Sequence, residues 1–378
     1  MRSVSVVGVG MIRFGRYPDK LVEELGRDAV IDAFRDCTAT KDDVQETFVG
    51  SVFAGGGIGQ RIAKLTGMSG MPITNVENAC ASGSTALRNG WLAVASGQAD
   101  VVLAVGVDKL SGASGPLVVT NGDREAAEGL TMPALYAMRA QAYMEKFDVG
   151  IAEIAQVVVK NRANAAMNEH SFFRAPVELD EVLNSPMVAE PLTRYQCCPK
   201  VDGAAAVILV ATERARDFTD SPVRIVASQL CSGSFRPGYR DFASPEISVR
   251  AAREAYELAG LGPEDIDVAE IHDAFSISEL LYYEALQFCA EGDAAKFLGE
   301  GSASLGGKLP VNPSGGLIAK GHPPGATGLS QVHEVVTQLR GRAGDRQVEG
   351  ARTGLVHCTG GGVSGYDHAV ASIHVLAR

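Results

Sequence analysis

The stretch Ala99-Asp100-Val101-Val102-Leu103-Ala104-Val105-Gly106 constrains the fold more than any other. A nearly continuous apolar run of this length suits a strand buried on both faces, as in a mostly parallel sheet covered by helices. The residues before it agree. A strand pattern from Ile73 to Glu77 meets the small-residue loop Asn78-Ala79-Cys80-Ala81-Ser82-Gly83-Ser84-Thr85-Ala86, and a helical pattern runs from about Ser82 to Ser96. Strand, loop, helix, strand is the βαβ succession of an α/β protein. Further strand patterns lie at Val4–Gly10, Glu46–Ala54, Asp202–Val210, Val223–Leu230, Val268–Ile271, Thr353–His357 and Ala369–Leu376. Helical patterns lie at Leu21–Phe34, Ile58–Leu65, Pro245–Ala259, Ser276–Phe288 and Leu329–Leu339. The second half echoes the first in pattern, not identity, which predicts a duplicated α/β unit. Between Lys109 and about Arg194 the texture changes to helical spacing broken by prolines, an insertion over the sheet.

Composition closes off several classes. A chain of 378 residues can hold two domains or one large duplicated one. With a net charge of −11 and no basic run, nucleic acid is not an expected partner. No apolar stretch is long enough to span a membrane. The first residues read as a strand rather than a secretion signal. Gly8-Val9-Gly10 lacks the third glycine of a dinucleotide loop and reads as a tight turn. The seven cysteines are odd in number and show no CxxC or Cys/His ligand spacing, so neither a disulfide framework nor a zinc site is expected. The expected compartment is the reducing cytoplasm.

Four reactive side chains sit where strands end or helices begin: Cys80, His272, His322 and Cys358. Taken singly, each has a bland reading as a core sulfur, a helix cap or a loop histidine. Together they resemble the furniture of an active site. Cys80 precedes a helix, where free N–H groups and the helix dipole favour a thiolate. Two thiols, two imidazoles and glycine-rich loops suit carbon–carbon bond making or breaking through a thioester, with a nucleophile, acid/bases and oxyanion donors.

These motifs carry a resemblance to the thiolases, in particular to the sterol-carrier-protein-2-type (lipid-transfer-type) branch, over essentially the whole chain. The matching residues are the Cys80 loop, Cys197-Cys198-Pro199 with Asp202-Gly203-Ala204-Ala205-Ala206, His272-Asp273-Ala274-Phe275, Gly321-His322-Pro323 with Gly325-Ala326-Thr327-Gly328, and Cys358-Thr359-Gly360-Gly361-Gly362. The branch often has Cys where this chain has Ala274. The resemblance implies a fold of two duplicated, mixed five-stranded sheet halves in an αβαβα arrangement with a helical loop domain. The corresponding division is 1–108 plus 195–220, 109–194, and 221–378. It implies that Cys80 is acylated by a 3-ketoacyl-CoA, His322 takes the thiol proton, His272 and His322 hold the enolate, and Cys358 protonates it. The N–H groups of Cys80 and Gly360 would hold the second oxyanion. Coenzyme A is then a substrate, with no tightly bound cofactor and no metal. A homodimer or dimer of dimers is implied, and in some members a small partner with zinc-ribbon and OB-fold parts. Lys109, Arg139, Lys160, Arg162 and Lys320 are candidates for the CoA phosphates. A lipid-transfer-type retro-aldolase and a non-catalytic acyl-CoA-binding subunit are the competing readings; Cys80 speaks against the first and the intact Cys/His/His/Cys set against the second. A β-ketoacyl synthase would not need Cys358.

Overall fold

The computed structural model describes residues 1–112, 124–235, 241–362 and 367–378. In the first half, strands β1 (Val4–Met11), β2 (Glu46–Gly50), β3 (Ile73–Val76) and β4 (Val101–Asp108) alternate with helices α1 (Val22–Arg35), α2 (Ile58–Thr66) and α3 (Ser82–Ser96). Helices α4 (Arg124–Ala127), α5 (Met132–Phe147), α6 (Ile151–Ala166) and α7 (Leu179–Leu183) and the hairpin β5 (Met187–Ala189) and β6 (Leu192–Thr193) follow, before β7 (Gly203–Ala211) returns to the sheet. The second half comprises β8 (Val223–Ser232), α8 (Glu246–Ala259), β9 (Val268–Glu270), α9 (Ser276–Ala285), α10 (Ala294–Gly299), α11 (Gly316–Lys320), α12 (Pro324–Leu339), β10 (Thr353–Gly360) and β11 (Val370–Ala377).

The strands form one nine-stranded mixed sheet in the order β3-β2-β4-β7-β1-β8-β11-β10-β9. The duplication is visible in that order. In the first half the strands lie third, second, fourth, fifth, first by sequence. The second half repeats this once the parallel bridge between Ala269 and Val311 is counted as a vestigial third strand. Strand sense repeats too: β2 is parallel to β3 and β4, and β9 is parallel to β10, while β7 and β11 are each antiparallel to both neighbours. The halves join through β1 and β8, antiparallel, with Val4 opposite Ile225.

Helices α3 and α12 lie together between the inner faces of the two halves, with α1 and α2 outside the first and α8 and α9 outside the second. α12 is apolar or small almost all round and nearly every residue is buried, as expected of a helix with no solvent face. Its approach to α3 is backbone against backbone. A Cβ on Gly83 would lie 2.4 Å from the carbonyl oxygen of Gly325, and one on Gly106 would lie 2.2 Å from the same atom. Gly83→Ala is therefore expected to lower stability by about 1–3 kcal/mol through overpacking, read by chemical denaturation. Wild-type stability in that variant would show that the two helices can part cheaply.

The structure differs from the sequence reading in three places that bear on the site. Thr353–His357 was expected as a strand ending before Cys358, but β10 continues to Gly360, held by pairing with β11 through Gly360 and Val370. The long small-residue loop before Leu329 contains α11, and α12 starts at Pro324, where proline costs no helix hydrogen bond. The polar segment 292–308 contains α10. No described helix is long and apolar enough to cross a membrane.

Candidate active site

The loop between β3 and α3 turns sharply at Ala79, whose φ of +46° is unusual for a residue with a side chain. Side chains hold the turn. The Ala79 N–H donates to Glu77 Oε1 (2.6 Å), the Asn78 N–H to Ser82 Oγ (2.9 Å), and Ser82 Oγ to the Ala79 carbonyl (2.6 Å). The turn presents Cys80, at the entry to α3, towards the second half of the molecule.

His272 follows β9. Asn312, itself at a positive φ of +54°, accepts the Ile271 N–H at Oδ1 (2.8 Å) and so fixes the strand end. The next residue, Asp273, is fully buried and accepts the N–H groups of Leu317 (2.6 Å) and Ile318 (3.4 Å). It therefore caps α11 rather than its own helix. Burial and the neighbouring Glu279 push its carboxyl well up. Capping fixes the start of α11, and Gly321 and His322 come directly off its end. Asp108, at the end of β4, plays a similar part. Its carboxylate accepts Ser51 Oγ (2.8 Å) and the N–H groups of Phe53 (2.8 Å) and Gly325 (2.7 Å), tying the start of α12 to the ends of β4 and β2.

These elements bring the four residues together. The ligand atoms of Cys80, His272 and His322 all lie within 4.8 Å of one another. The two imidazoles stand edge to face, with centroids 5.0 Å apart. Cys358 Sγ lies 3.3 Å from His272 Nδ1 and 3.2 Å from the carbonyl oxygen of Cys80. Gly360 lies against the Cys80 loop: a Cβ there would be 2.8 Å from the Cys80 nitrogen. The N–H groups that reach the Cys80 sulfur are its own and that of Gly361, one residue beyond.

Thr327 Oγ1 lies 2.7 Å from His322 Nδ1 and 2.9 Å from the Pro323 carbonyl. With its single proton on the carbonyl it accepts from Nδ1, the arrangement that leaves His322 Nε2 bare to take a proton.

The expectation of a ready thiolate at Cys80 fails. Cys80 keeps some exposure as a residue, yet loss of hydration at the sulfur pushes its thiol up to about 12, with the Asp108 carboxylate adding to the shift. The helix dipole and two N–H groups do not offset this. Burial pushes His322 down to about 3 and His272 well below the usual imidazole range, with His322 adding to the shift at His272. Burial, with Cys80 beside it, raises Cys358. At neutral pH the set is two thiols and two uncharged imidazoles. Iodoacetamide should thus label Cys80 in the free enzyme slowly at pH 7, rising about tenfold per pH unit to pH 9 without a plateau. Peptide mass spectrometry would read this, and a plateau near neutrality would mean a preformed ion pair.

Most of the residues proposed for the CoA phosphates are committed elsewhere. Lys160 pairs with Glu279 (2.8 Å), Lys320 with Glu270 (3.4 Å) and Arg139 with Asp367, all buried. Lys109 donates to the carbonyls of Pro18 (3.1 Å) and Lys20 (2.7 Å). Arg162 stacks over Phe173 at 4.1 Å. Isolated in sequence, these cations look like surface charge; their acidic partners lie too far along the chain to be paired by eye.

Residues 4–213 match the family described as thiolase, N-terminal domain, and residues 238–373 the thiolase C-terminal domain-like family. An acetyl-CoA acetyltransferase of Methanothermobacter thermautotrophicus is 42% identical over the full length of both chains. Sterol carrier protein 2 of Homo sapiens is 41% identical over 95% of this chain and 70% of its own length. A solved Ltp2–ChsH2(DUF35) aldolase superposes with a TM-score of 0.85 at 26% identity, covering 99% of this chain and 98% of that one.

Proposed function

This chain belongs to the thiolase family, and from that premise we propose that it cleaves a 3-ketoacyl-CoA with coenzyme A, or runs the reverse condensation, through an acyl group carried on Cys80. The observation that carries the reading is the convergence of Cys80, His272 and His322 within 4.8 Å, with Cys358 at 3.3 Å from His272.

With thiol and imidazole both neutral at rest, the Cys80 proton moves to His322 Nε2 as the sulfur attacks the 3-keto carbon, not before. Thr327 keeps Nε2 bare for that transfer. The bond between carbons 2 and 3 breaks, and the electron pair becomes the enolate of the departing acyl-CoA. His272 and the newly protonated His322 donate to the enolate oxygen, and Cys358 supplies the proton to carbon 2. Cys358 can then take the proton of the incoming CoA thiol, which attacks the acyl-Cys80 carbonyl; the bond from carbon to Cys80 sulfur breaks, and the sulfur takes back the proton held by His322. The N–H groups of Cys80 and Gly360 would hold the tetrahedral oxyanion, a role that the approach of Gly360 to the Cys80 nitrogen supports. His272, His322 and Cys358 are buried, and each proton is passed between neighbouring groups, so no step needs a free thiolate in solvent.

A second reading is favoured by the aldolase neighbour: cleavage of a 3-hydroxyacyl-CoA into a carbonyl product and the same enolate, using His272, His322 and Cys358 without acylating Cys80. That neighbour's name pairs two proteins, and the present chain is taken to work as a homodimer or dimer of dimers, with a small partner subunit in addition if the aldolase reading holds.

Mass spectrometry of the protein mixed with 3-ketoacyl-CoA thioesters, from acetoacetyl to long-chain and aromatic, separates the two. An acyl adduct on the Cys80 peptide is the expected result, and its mass names the group transferred. Carbonyl release from 3-hydroxyacyl-CoA with no adduct from any 3-ketoacyl-CoA would replace the first reading with the second.

A further inference from the structure

We propose that the same pocket is a binding site for a thiophilic divalent cation of the zinc class, held by Cys80 Sγ and one nitrogen each of His272 and His322. The three donor atoms already lie within 4.8 Å of one another. In a tetrahedral zinc site, with bonds of about 2.3 Å to sulfur and 2.0–2.1 Å to nitrogen, ligand atoms sit about 3.5 Å apart.

Nδ1 of each ring already has a partner, Thr327 Oγ1 at 2.7 Å from His322 and Cys358 Sγ at 3.3 Å from His272, which leaves the Nε2 atoms for a cation. Contacts of this kind restrict ring rotation. One sulfur and two imidazoles select zinc-class ions over magnesium or calcium, which take oxygen. Three protein ligands leave a fourth position for water. Asp108, close enough to act electrostatically on Cys80, offsets the added charge.

Binding replaces the S–H bond of Cys80 with a metal–sulfur bond, and the displaced proton leaves to the buffer; nothing is oxidised or reduced. The cation would engage the sulfur and both imidazoles together, so its occupancy is a reversible off state. The site is read from geometry and does not depend on which reaction the enzyme performs.

The test uses the full-length protein, stripped with chelator, and cobalt(II) as the spectroscopic probe. One equivalent should produce a near-ultraviolet sulfur-to-cobalt band with four-coordinate visible bands, and zinc should displace both. Cys80→Ser should abolish the sulfur band, and His322→Asn should weaken binding at least tenfold, each checked for folding by circular dichroism. Cys37→Ser, remote from the pocket, should change nothing. Without any variant, one equivalent of zinc should slow alkylation of Cys80 at least tenfold. A sulfur band that survives in folded Cys80→Ser protein, or zinc that leaves Cys80 alkylation unchanged, overturns the proposal.

Discussion

Cys80→Ser lowers turnover of a 3-ketoacyl-CoA by about 10⁴-fold or more, and no acyl-enzyme is seen by intact mass. The geometry gives the reason for the size of the effect. The base available is a buried, weakly basic imidazole, which can take a proton from sulfur during attack but is a poor match for a hydroxyl. On the proposed mechanism Cys80 and His322 act as one unit, so His322→Asn alone should cost a similar factor, and the double variant should be scarcely worse than either single one. Steady-state kcat/KM for the three proteins gives the comparison. Cys358→Ala separates the steps: Cys80 keeps its nucleophile and base, but the enolate loses its proton source. Full turnover in the Cys358→Ala protein would remove that residue from the mechanism, and multiplying losses in the double variant would mean that Cys80 and His322 serve different steps.

Arg139→Met costs about 3–5 kcal/mol of stability at neutral pH, because it leaves a buried carboxylate without its partner. Arg139 and Asp367 are both buried, and the guanidinium also reaches the carbonyl of Phe242 (3.3 Å). The pair pins α5 to the chain just beyond β10. Burial alone would raise the Asp367 carboxyl; the guanidinium, and His368 beside it, reverse this and hold it well below the usual range. A carboxyl whose folded value is depressed contributes stability above its unfolded value, near pH 4, and loses it as pH falls further. The gap between wild type and Arg139→Met, measured by urea denaturation, should therefore be widest at pH 7 and narrow below about pH 4. A pH-independent gap would assign the loss to packing of the arginine stem.

Much of this architecture could be read from residues in order. Ala99–Gly106 and Val4–Gly10 announced themselves as buried strands, within two residues of β4 and β1, and α3 begins at Ser82 as its small-residue loop suggested. The four reactive residues were legible because each stands in a small-residue loop or at the end of a strand pattern. What escaped depends on partners far along the chain. Asp108 caps an approach 217 residues away at Gly325, and nothing near it in sequence marks it. Lys160, Lys320 and Arg139 read as charges for phosphate because their carboxylates are 50 to 228 residues distant. The protonation of Cys80 escaped for another reason. A helix N-terminus is visible in sequence, whereas the loss of hydration that outweighs it appears only once both halves close over the sulfur.

The seam at β1 and β8 has a consequence for how the molecule could be taken apart. Cys80 lies before it; His272, His322 and Cys358 lie after it. Across it the two inner helices and both sheet faces share one continuous apolar core, while the covalent link at 219–222 is a single strand of surface chain. Fragment complementation follows: segments 1–220 and 221–378, co-expressed as separate polypeptides, should reassemble by burying that core and recover activity that neither possesses alone.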